Sequence, residues 1–150
     1  PLALSGSIST GAQVLAAQAM GADFAYIGTA FIATDEARAL DAYKDMIVAS
    51  ASKDIVYSSL FTGVSGNYLA PSIAKAGMDP NNLPEGDKAT MSFQSGEGSK
   101  AKAWKDVWGS GQGIGAIKTR MPAAQYIAQL KREYEEARTQ LATSAAAFAL

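Results

Sequence analysis

Cysteine and histidine are both absent from the 150 residues of the sequence. Without cysteine there is no disulfide framework, and without either residue the soft and borderline metals lose their usual ligands. The sequence therefore predicts no zinc, copper or iron site, and it offers no candidate metal ligands. Because histidine is the commonest general base near neutral pH, any base that this chain supplies must be a different residue.

Charged residues and long apolar runs are also scarce. Charged residues make up 18% of the chain and give a net charge of -1 from mixed signs, which argues against a nucleic-acid partner or a polybasic membrane arm. No apolar run approaches the roughly 18 residues of a membrane helix, and no signal-peptide pattern is found at the start. We therefore expect a soluble, cytoplasmic protein that binds neither nucleic acid nor membrane.

The first residues enter an apolar stretch at once, and Pro1 is not an initiator methionine. We expect that an upstream segment of the protein precedes Pro1. At 150 residues the chain is nevertheless long enough to bury one core of its own.

A strand, a helix and a second strand are predicted over residues 2 to 29. The apolar run at 2 to 4 ends at Ser5-Gly6-Ser7, and Ser9 or Thr10 can cap a helix whose apolar stripe runs to Met20. Gly21 stands where a left-handed residue ends a helix. The run from 24 to 27 then suits a strand buried on both faces. Such a unit places its strands parallel, so both strand exits open at one edge.

The rest of the chain gives weaker signals. Its periodicity indicates a helix around residues 40 to 47 and a short strand over 55 to 61, and Asn67 can cap a short helix that Gly77 ends. Residues 78 to 101 lack a clear period and are interpreted as an ordered excursion or a lid. Pro122 starts a long helix whose apolar stripe needs a partner surface. That stripe consists of Ile127, Leu130, Tyr134, Ala137 and Leu141.

Two glycine-containing strand exits, Ser5-Gly6-Ser7 and Gly28-Thr29, are the candidate phosphate site. Main-chain N–H groups at such turns, reinforced by a helix dipole, bind phosphate without any cationic side chain. In a (β/α)8 barrel the loops after strands seven and eight are a frequent phosphate site. Each glycine taken alone is better explained as closing a tight turn, but two such exits in succession favour a phosphate-bearing ligand.

The glycine-rich segment is defined as residues 109 to 116. Its Gly111, Gly113 and Ala116 fit the dinucleotide pattern G-x-G-x-x-A, but a preceding apolar strand and an immediately following helix are both missing. The segment either lays its backbone and Gln112 against a flat ligand edge or is a simple loop. Trp104 and Trp108 share a helical face, and core packing explains them better than a ligand site does.

Motifs along nearly the whole chain resemble those of the nitronate monooxygenase family, formerly called 2-nitropropane dioxygenase. They are Ser5-Gly6-Ser7-Ile8-Ser9-Thr10-Gly11, Gly21-Ala22-Asp23, Ile27-Gly28-Thr29-Ala30-Phe31-Ile32-Ala33-Thr34, Leu60-Phe61-Thr62-Gly63-Val64, Gly66-Asn67-Tyr68-Leu69, Trp108-Gly109-Ser110-Gly111-Gln112-Gly113-Ile114-Gly115 and Glu133-Tyr134. The resemblance implies oxidation of alkyl nitronates, such as propionate 3-nitronate, by dioxygen with FMN. It also implies an α/β fold, the C-terminal part of a TIM-type (β/α)8 barrel with an inserted smaller domain.

The resemblance also implies site residues. FMN contacts fall on Gly6, Ser7, Tyr26, Ile27, Gly28, Thr29 and Gln112, and substrate contacts fall on Ser110 and Gly111. Ser7 replaces the usual second glycine, and we expect binding to survive if its φ is negative. The family's active-site histidine has no counterpart here, so no catalytic residue is assigned to this chain. We expect the missing N-terminal part of the barrel to supply the catalytic base.

The resemblance divides the chain into barrel residues 1–35, an inserted small domain at 36–116 with the glycine-rich segment, and a helix returning to the barrel at 117–150. Two alternatives stay open. One is an NAD(P)H-dependent FMN reductase of quinones or enoyl thioesters on the same fold. The other is a barrel without flavin that binds another phosphate metabolite.

Overall fold

The computed structural model describes residues 1–85 and 106–148 of the chain. Two small sheets and five α-helices are found in these residues. In chain order the elements are β1 (Ala3–Ser5), α1 (Gly11–Ala19), β2 (Phe24–Tyr26), α2 (Thr29–Ile32), α3 (Asp41–Ala49), β3 (Ile55–Ser58), β4 (Gly66–Leu69), α4 (Ala70–Lys75) and α5 (Ala123–Phe148). Two 3₁₀ turns, Ser52–Asp54 and Gln112–Ala116, lie between them.

The predicted strand, helix and strand at the start of the chain are confirmed. Strands β1 and β2 pair in parallel, with Ser5 opposite Tyr26. Helix α1 begins with a capping box, in which Thr10 accepts from the N–H of Gln13 and the Gln13 side chain accepts from the N–H of Thr10. Gly21 follows the helix with a φ of 92°, as a left-handed terminating residue does. Local sequence signals therefore define this unit at both helix ends.

The expectation that β2 is buried on both faces is wrong. The side chains of Phe24 and Tyr26 are 62% and 68% exposed. Ala25, on the opposite face, packs with Ile8 and Ala17 beneath α1. In the described part of the chain β2 pairs only with β1, and α1 covers only one face of this two-stranded sheet. The other face is therefore left uncovered.

Strands β3 and β4 form an antiparallel pair that the sequence predicted only in part. Asn67 lies in β4 opposite Tyr57, so the prediction that it caps a helix is wrong. Strand pairing holds Asn67 extended, and α4 starts only after Leu69. Pro71 lies in the first turn of α4, where proline is tolerated. Gly77 follows the helix with a φ of 85°, as predicted.

The main core joins residues that are distant in the sequence. Its buried members are Ala30, Ala33, Ile47, Leu69, Trp108, Ile114, Ile117 and Tyr126. They come from all three segments of the predicted domain division, which stays a prediction. Core packing of Trp108 is confirmed, since it is 9% exposed. Trp104, and most of the segment interpreted as an excursion or lid, lie outside the described residues.

Helix α5 packs across α1. Helix α1 covers the middle of the apolar stripe that the sequence predicted on α5. The crossing is closest at Gly11, where a Cβ atom would stand 2.1 Å from the carbonyl oxygen of Leu130. Ile127 and Leu141, towards the two ends of the stripe, remain 55% and 60% exposed. Among the described helices, none is both long and apolar enough to cross a membrane.

Candidate phosphate and substrate site

The two glycine exits lie side by side at one end of the β1–β2 sheet. Because the strands are parallel and Ser5 is opposite Tyr26, Gly6 and Gly28 both follow the carboxyl ends of neighbouring strands, which run about 4.8 Å apart. Gly6 has a φ of 102° and Ser7 a φ of 58°. The condition set for Ser7, a negative φ, is therefore not met, because the chain turns from β1 towards α1 through two successive residues with positive φ.

Space and hydrogen-bond donors are both present at these exits. A Cβ atom added at Gly6 or at Gly28 would meet no heavy atom of the described residues within 4 Å. Within residues 1–85 and 106–148, the main-chain N–H groups of Gly6, Ser7 and Gly28 donate to no other residue. A phosphate ester needs such a cradle of open space lined by N–H groups. The residues present therefore fit the phosphate end of FMN.

The N-terminus of α1, by contrast, is already used within the protein. The N–H of Gly11 donates to Oε2 of Glu133 on α5 over 2.8 Å. The Gln13 side chain accepts from the N–H groups of Ser9 and Thr10. The sequence suggested that the positive end of the α1 dipole would support a phosphate. In the structure the carboxylate of Glu133 lies at that end of the helix instead. Donors for an anion must come from the loops.

The glycine-rich segment contacts both strand exits. The N–H of Gly111 donates to Oγ1 of Thr29 over 2.8 Å. Gly113 lies so close to the first loop that its Cβ would stand 2.7 Å from both the carbonyl oxygen of Ser7 and Oγ of Ser9. The segment continues as a 3₁₀ turn, not as the helix that a dinucleotide fingerprint needs. Tertiary structure thus brings together three motifs that are separated in the sequence.

The predicted site residues differ in how far they can reach a ligand. Tyr26 and Gln112 are exposed, whereas Ile27 is half-buried and packs into the core. Only the main chain of Ile27 can therefore contact a ligand at the strand ends. Ser110 is 7% exposed, and its N–H donates to the carbonyl oxygen of Asn67 over 3.1 Å. The ligand roles of these residues stay proposals.

Two tyrosines that the sequence did not single out hold the segments of the site in place. The Tyr43 hydroxyl donates to the carbonyl oxygen of Gly109, and its ring stacks on Trp108 with centroids 5.0 Å apart. Burial raises the pKa of Tyr43. The Tyr126 hydroxyl donates to the carbonyl oxygen of Ser9 over 3.0 Å. Burial, with a contribution from the nearby Glu133 carboxylate, raises the pKa of Tyr126 to about 12.

The sequence carried little signal for these two roles. Tyr43 lies on an apolar stripe where any core residue would fit the periodicity, and Tyr126 is 117 residues from its partner Ser9. The aromatic ring of a tyrosine is enough to explain its place in an apolar sequence pattern. The hydrogen-bond partner of its hydroxyl group depends on the tertiary structure.

Two recesses are found on the described surface. A cavity of about 90 Å³ is bounded by Ser9, Thr34 and Tyr126, which is room for a few water molecules. An open recess of about 340 Å³ lies beside β3 and Leu83. Neither recess is lined by Gly6 or Gly28. The described residues contain no cluster of acidic side chains that could hold a metal ion.

A family profile described as nitronate monooxygenase matches residues 1–133. The chain belongs to the nitronate monooxygenase family. It is 30% identical over 146 residues to a nitronate monooxygenase of Paraburkholderia phytofirmans, covering 94% of this chain and 40% of the relative. It is 26% identical over 147 residues to a probable nitronate monooxygenase of Staphylococcus haemolyticus, with the same coverage of 94% and 40%. The chain thus spans about two fifths of these relatives.

A solved structure shows the same fold. The nitroalkane oxidase of Streptomyces ansochromogenes superposes with a TM-score of 0.73 at 30% identity, covering 94% of this chain and 41% of that one. This match to less than half of a larger molecule, with the parallel βαβ unit, confirms the predicted fold class, a part of a TIM-type barrel. The predicted family is confirmed as well.

Proposed function

We propose that this chain is part of an FMN-dependent enzyme that oxidises alkyl nitronates, such as propionate 3-nitronate, with dioxygen. Family membership supports this proposal. The chain spans about 40% of its relatives and contains no histidine. The catalytic base is therefore assigned to the rest of the barrel.

The observation that carries the proposal is the pair of glycine exits in parallel register, each with open space where a Cβ would stand. Main-chain N–H groups of Gly6, Ser7 and Gly28, with the hydroxyl of Thr29, hold the FMN phosphate. Neutral donors suit a dianion because several N–H groups share its charge without a buried cation. The main chain at Tyr26 and Ile27 leads into the second loop and lines the ligand.

The flavin ring, when bound, supplies the redox chemistry. The protein's part is to orient the ring and the nitronate. Gln112 is exposed beside the strand exits and reaches the edge of the ring, while the backbone at Ser110 and Gly111 forms one wall of the substrate pocket. Ser110 is buried and bonded to β4, so this wall is rigid on its far side.

The decisive variant is Gly28→Ala in the intact protein. Its new methyl group meets no atom of the described residues within 4 Å, so stability should change by less than about 0.5 kcal/mol. The methyl group projects into the cradle, however, and the Kd for FMN should rise at least about tenfold. Gly77→Ala is the matched control, since it lies after α4 at a φ of 85°. It should lower stability by about 1 kcal/mol and leave the Kd for FMN unchanged.

The competing functions give different results with the same protein. Anaerobic bleaching of a yellow FMN-loaded protein by a nitronate supports the proposal. Rapid bleaching by NADH, with no response to nitronate, would instead identify a reductase. Wild-type protein that binds no FMN in a titration of the apo-form, or Gly28→Ala protein that binds FMN as tightly as wild type, would overturn the phosphate site.

A further inference from the structure

We infer that Thr29 is a positioning residue that couples binding of the FMN phosphate to the placement of the glycine-rich segment. The inference rests on the proposed function, since it concerns the same site. It goes further by giving the Thr29 hydroxyl two simultaneous partners, one in the ligand and one in the segment that faces the substrate.

The first partner is visible in the structure. Oγ1 of Thr29 accepts a hydrogen bond from the N–H of Gly111 over 2.8 Å. A hydroxyl group has two acceptor lone pairs and one proton to donate. No residue in the described ranges 1–85 and 106–148 accepts the Thr29 proton. That proton is therefore left for an oxygen of the phosphate held at Gly28.

The two hydrogen bonds strengthen each other. When a hydroxyl donates to a negatively charged oxygen, its own oxygen becomes a better acceptor, so the bond from Gly111 tightens. By the reciprocity of linked equilibria, a segment that is docked on Thr29 also favours the bound phosphate. Occupancy of the phosphate site and docking of the segment are thus one coupled event.

The rest of the segment is held in a way that makes this coupling matter for the substrate. On one side of Gly111, the N–H of Ser110 donates to the carbonyl oxygen of Asn67. On the other side, the carbonyl oxygen of Gln112 accepts from Oγ of Ser52 over 2.8 Å. Gly111 lies between these two hydrogen-bonded residues, and its own N–H donates to Thr29 after the end of β2. A shift at Gly111 changes the path of the main chain on which Ser110 and Gln112 are placed.

The test compares Thr29→Val with Thr29→Ser in the intact protein. Valine keeps the shape but removes both hydrogen bonds, whereas serine keeps the hydroxyl. In Thr29→Val the Kd for FMN should rise at least about tenfold. At saturating FMN the KM for nitronate should rise several-fold with little change in kcat, because substrate placement is altered and not the chemistry. Thr29→Ser should restore both values to within about threefold of wild type.

Amide hydrogen exchange gives a readout that is independent of turnover. The N–H of Gly111 should exchange more slowly when FMN is added to wild-type protein, and FMN should have no such effect in Thr29→Val. Thr34→Val is the matched control. The Thr34 side chain is buried and donates to the carbonyl oxygen of Phe31 over 2.7 Å, so this variant should lose stability while FMN affinity and exchange at Gly111 stay unchanged.

The outcomes separate the inference from the function on which it rests. Wild-type protein without FMN affinity overturns both. Normal FMN binding by Thr29→Val, or exchange at Gly111 that does not respond to FMN in the wild type, overturns the coupling and leaves the proposed function standing. A Thr34→Val variant that weakens FMN binding as much as Thr29→Val also overturns the coupling, since the effect would then be a general loss of stability.

Discussion

Glu133, in the first half of α5, accepts a hydrogen bond over 2.8 Å from the N–H of Gly11, the first residue of α1. Its other carboxylate oxygen accepts from the Gln129 side chain over 2.7 Å. A negative charge thus lies at the positive end of α1, a favourable arrangement. The C-terminal helix thereby fixes the start of the helix that follows Ser5-Gly6-Ser7.

Replacing Glu133 should destabilise the protein. Glu133→Ala removes a charge-assisted hydrogen bond and a helix-end charge, and we expect the free energy of unfolding to fall by about 1–2 kcal/mol. Glu136→Ala is the control, because Glu136 only faces Arg132 at 3.9 Å on the exposed side of the same helix, and such a pair contributes less than about 1 kcal/mol. Denaturant unfolding measures both, and equal losses would contradict the role of Glu133.

Gly11→Ala should be the most damaging single methyl group at this interface. The new Cβ would stand 2.1 Å from the carbonyl oxygen of Leu130 and 2.3 Å from the main-chain nitrogen of Tyr134. Both are backbone atoms that cannot move without shifting α5, so we expect a loss of about 3 kcal/mol or more in unfolding free energy. The same substitution at Gly28 gives the control for stability, and a similar loss there would refute this explanation.

Tyr126 should make stability fall at alkaline pH. Its folded pKa is raised from 10.0 to about 12, so between these values the unfolded chain loses the proton while the folded protein keeps it. Its contribution is complete below pH 10 and is lost as the pH rises through 12. In Tyr126→Phe this part of the pH dependence should disappear, and stability at neutral pH should fall by about 1 kcal/mol. Unfolding curves from neutral to alkaline pH, in both proteins, measure this.

Glu36 should make stability fall at acidic pH. Its carboxylate accepts from the N–H of Ala123, the first residue of α5, over 2.8 Å, and this hydrogen bond lowers its pKa below 4.5. The contribution is present above pH 4.5 and is lost as the pH falls through the lower folded value. Glu36→Gln should therefore be less stable than wild type near neutral pH, and the difference should shrink on acidification. A difference that grows in acid would refute the prediction.

Ser7→Gly should be tolerated or slightly stabilising. Ser7 has a φ of 58°, which disfavours a residue with a Cβ by about 1 kcal/mol. Glycine removes that cost but adds freedom to the unfolded chain, so we expect a gain between zero and about 1 kcal/mol in thermal unfolding measurements. FMN affinity should be retained, because the main-chain N–H stays in place. Ser5→Gly in β1 is the control and should lose stability.

Local sequence signals predicted the first βαβ unit well. The Thr10 cap, the left-handed Gly21 and the two strand exits all depend on residues within a few positions of one another. The same signals failed at Asn67, where pairing with β3 prevented a cap. They also did not define the backbone at Ser7, whose φ is positive in the structure. At Asn67 a contact from another part of the fold decides the backbone conformation.

The sequence by itself determined that glycine follows both strands of the first βαβ unit, and that this chain contains no histidine. Only the tertiary structure decided that the α1 N-terminus belongs to Glu133 and that Gly111 is held by Thr29. These pairs lie 122 and 82 residues apart. Contacts of that kind leave no periodic trace, since they exist only after the core has brought the segments together.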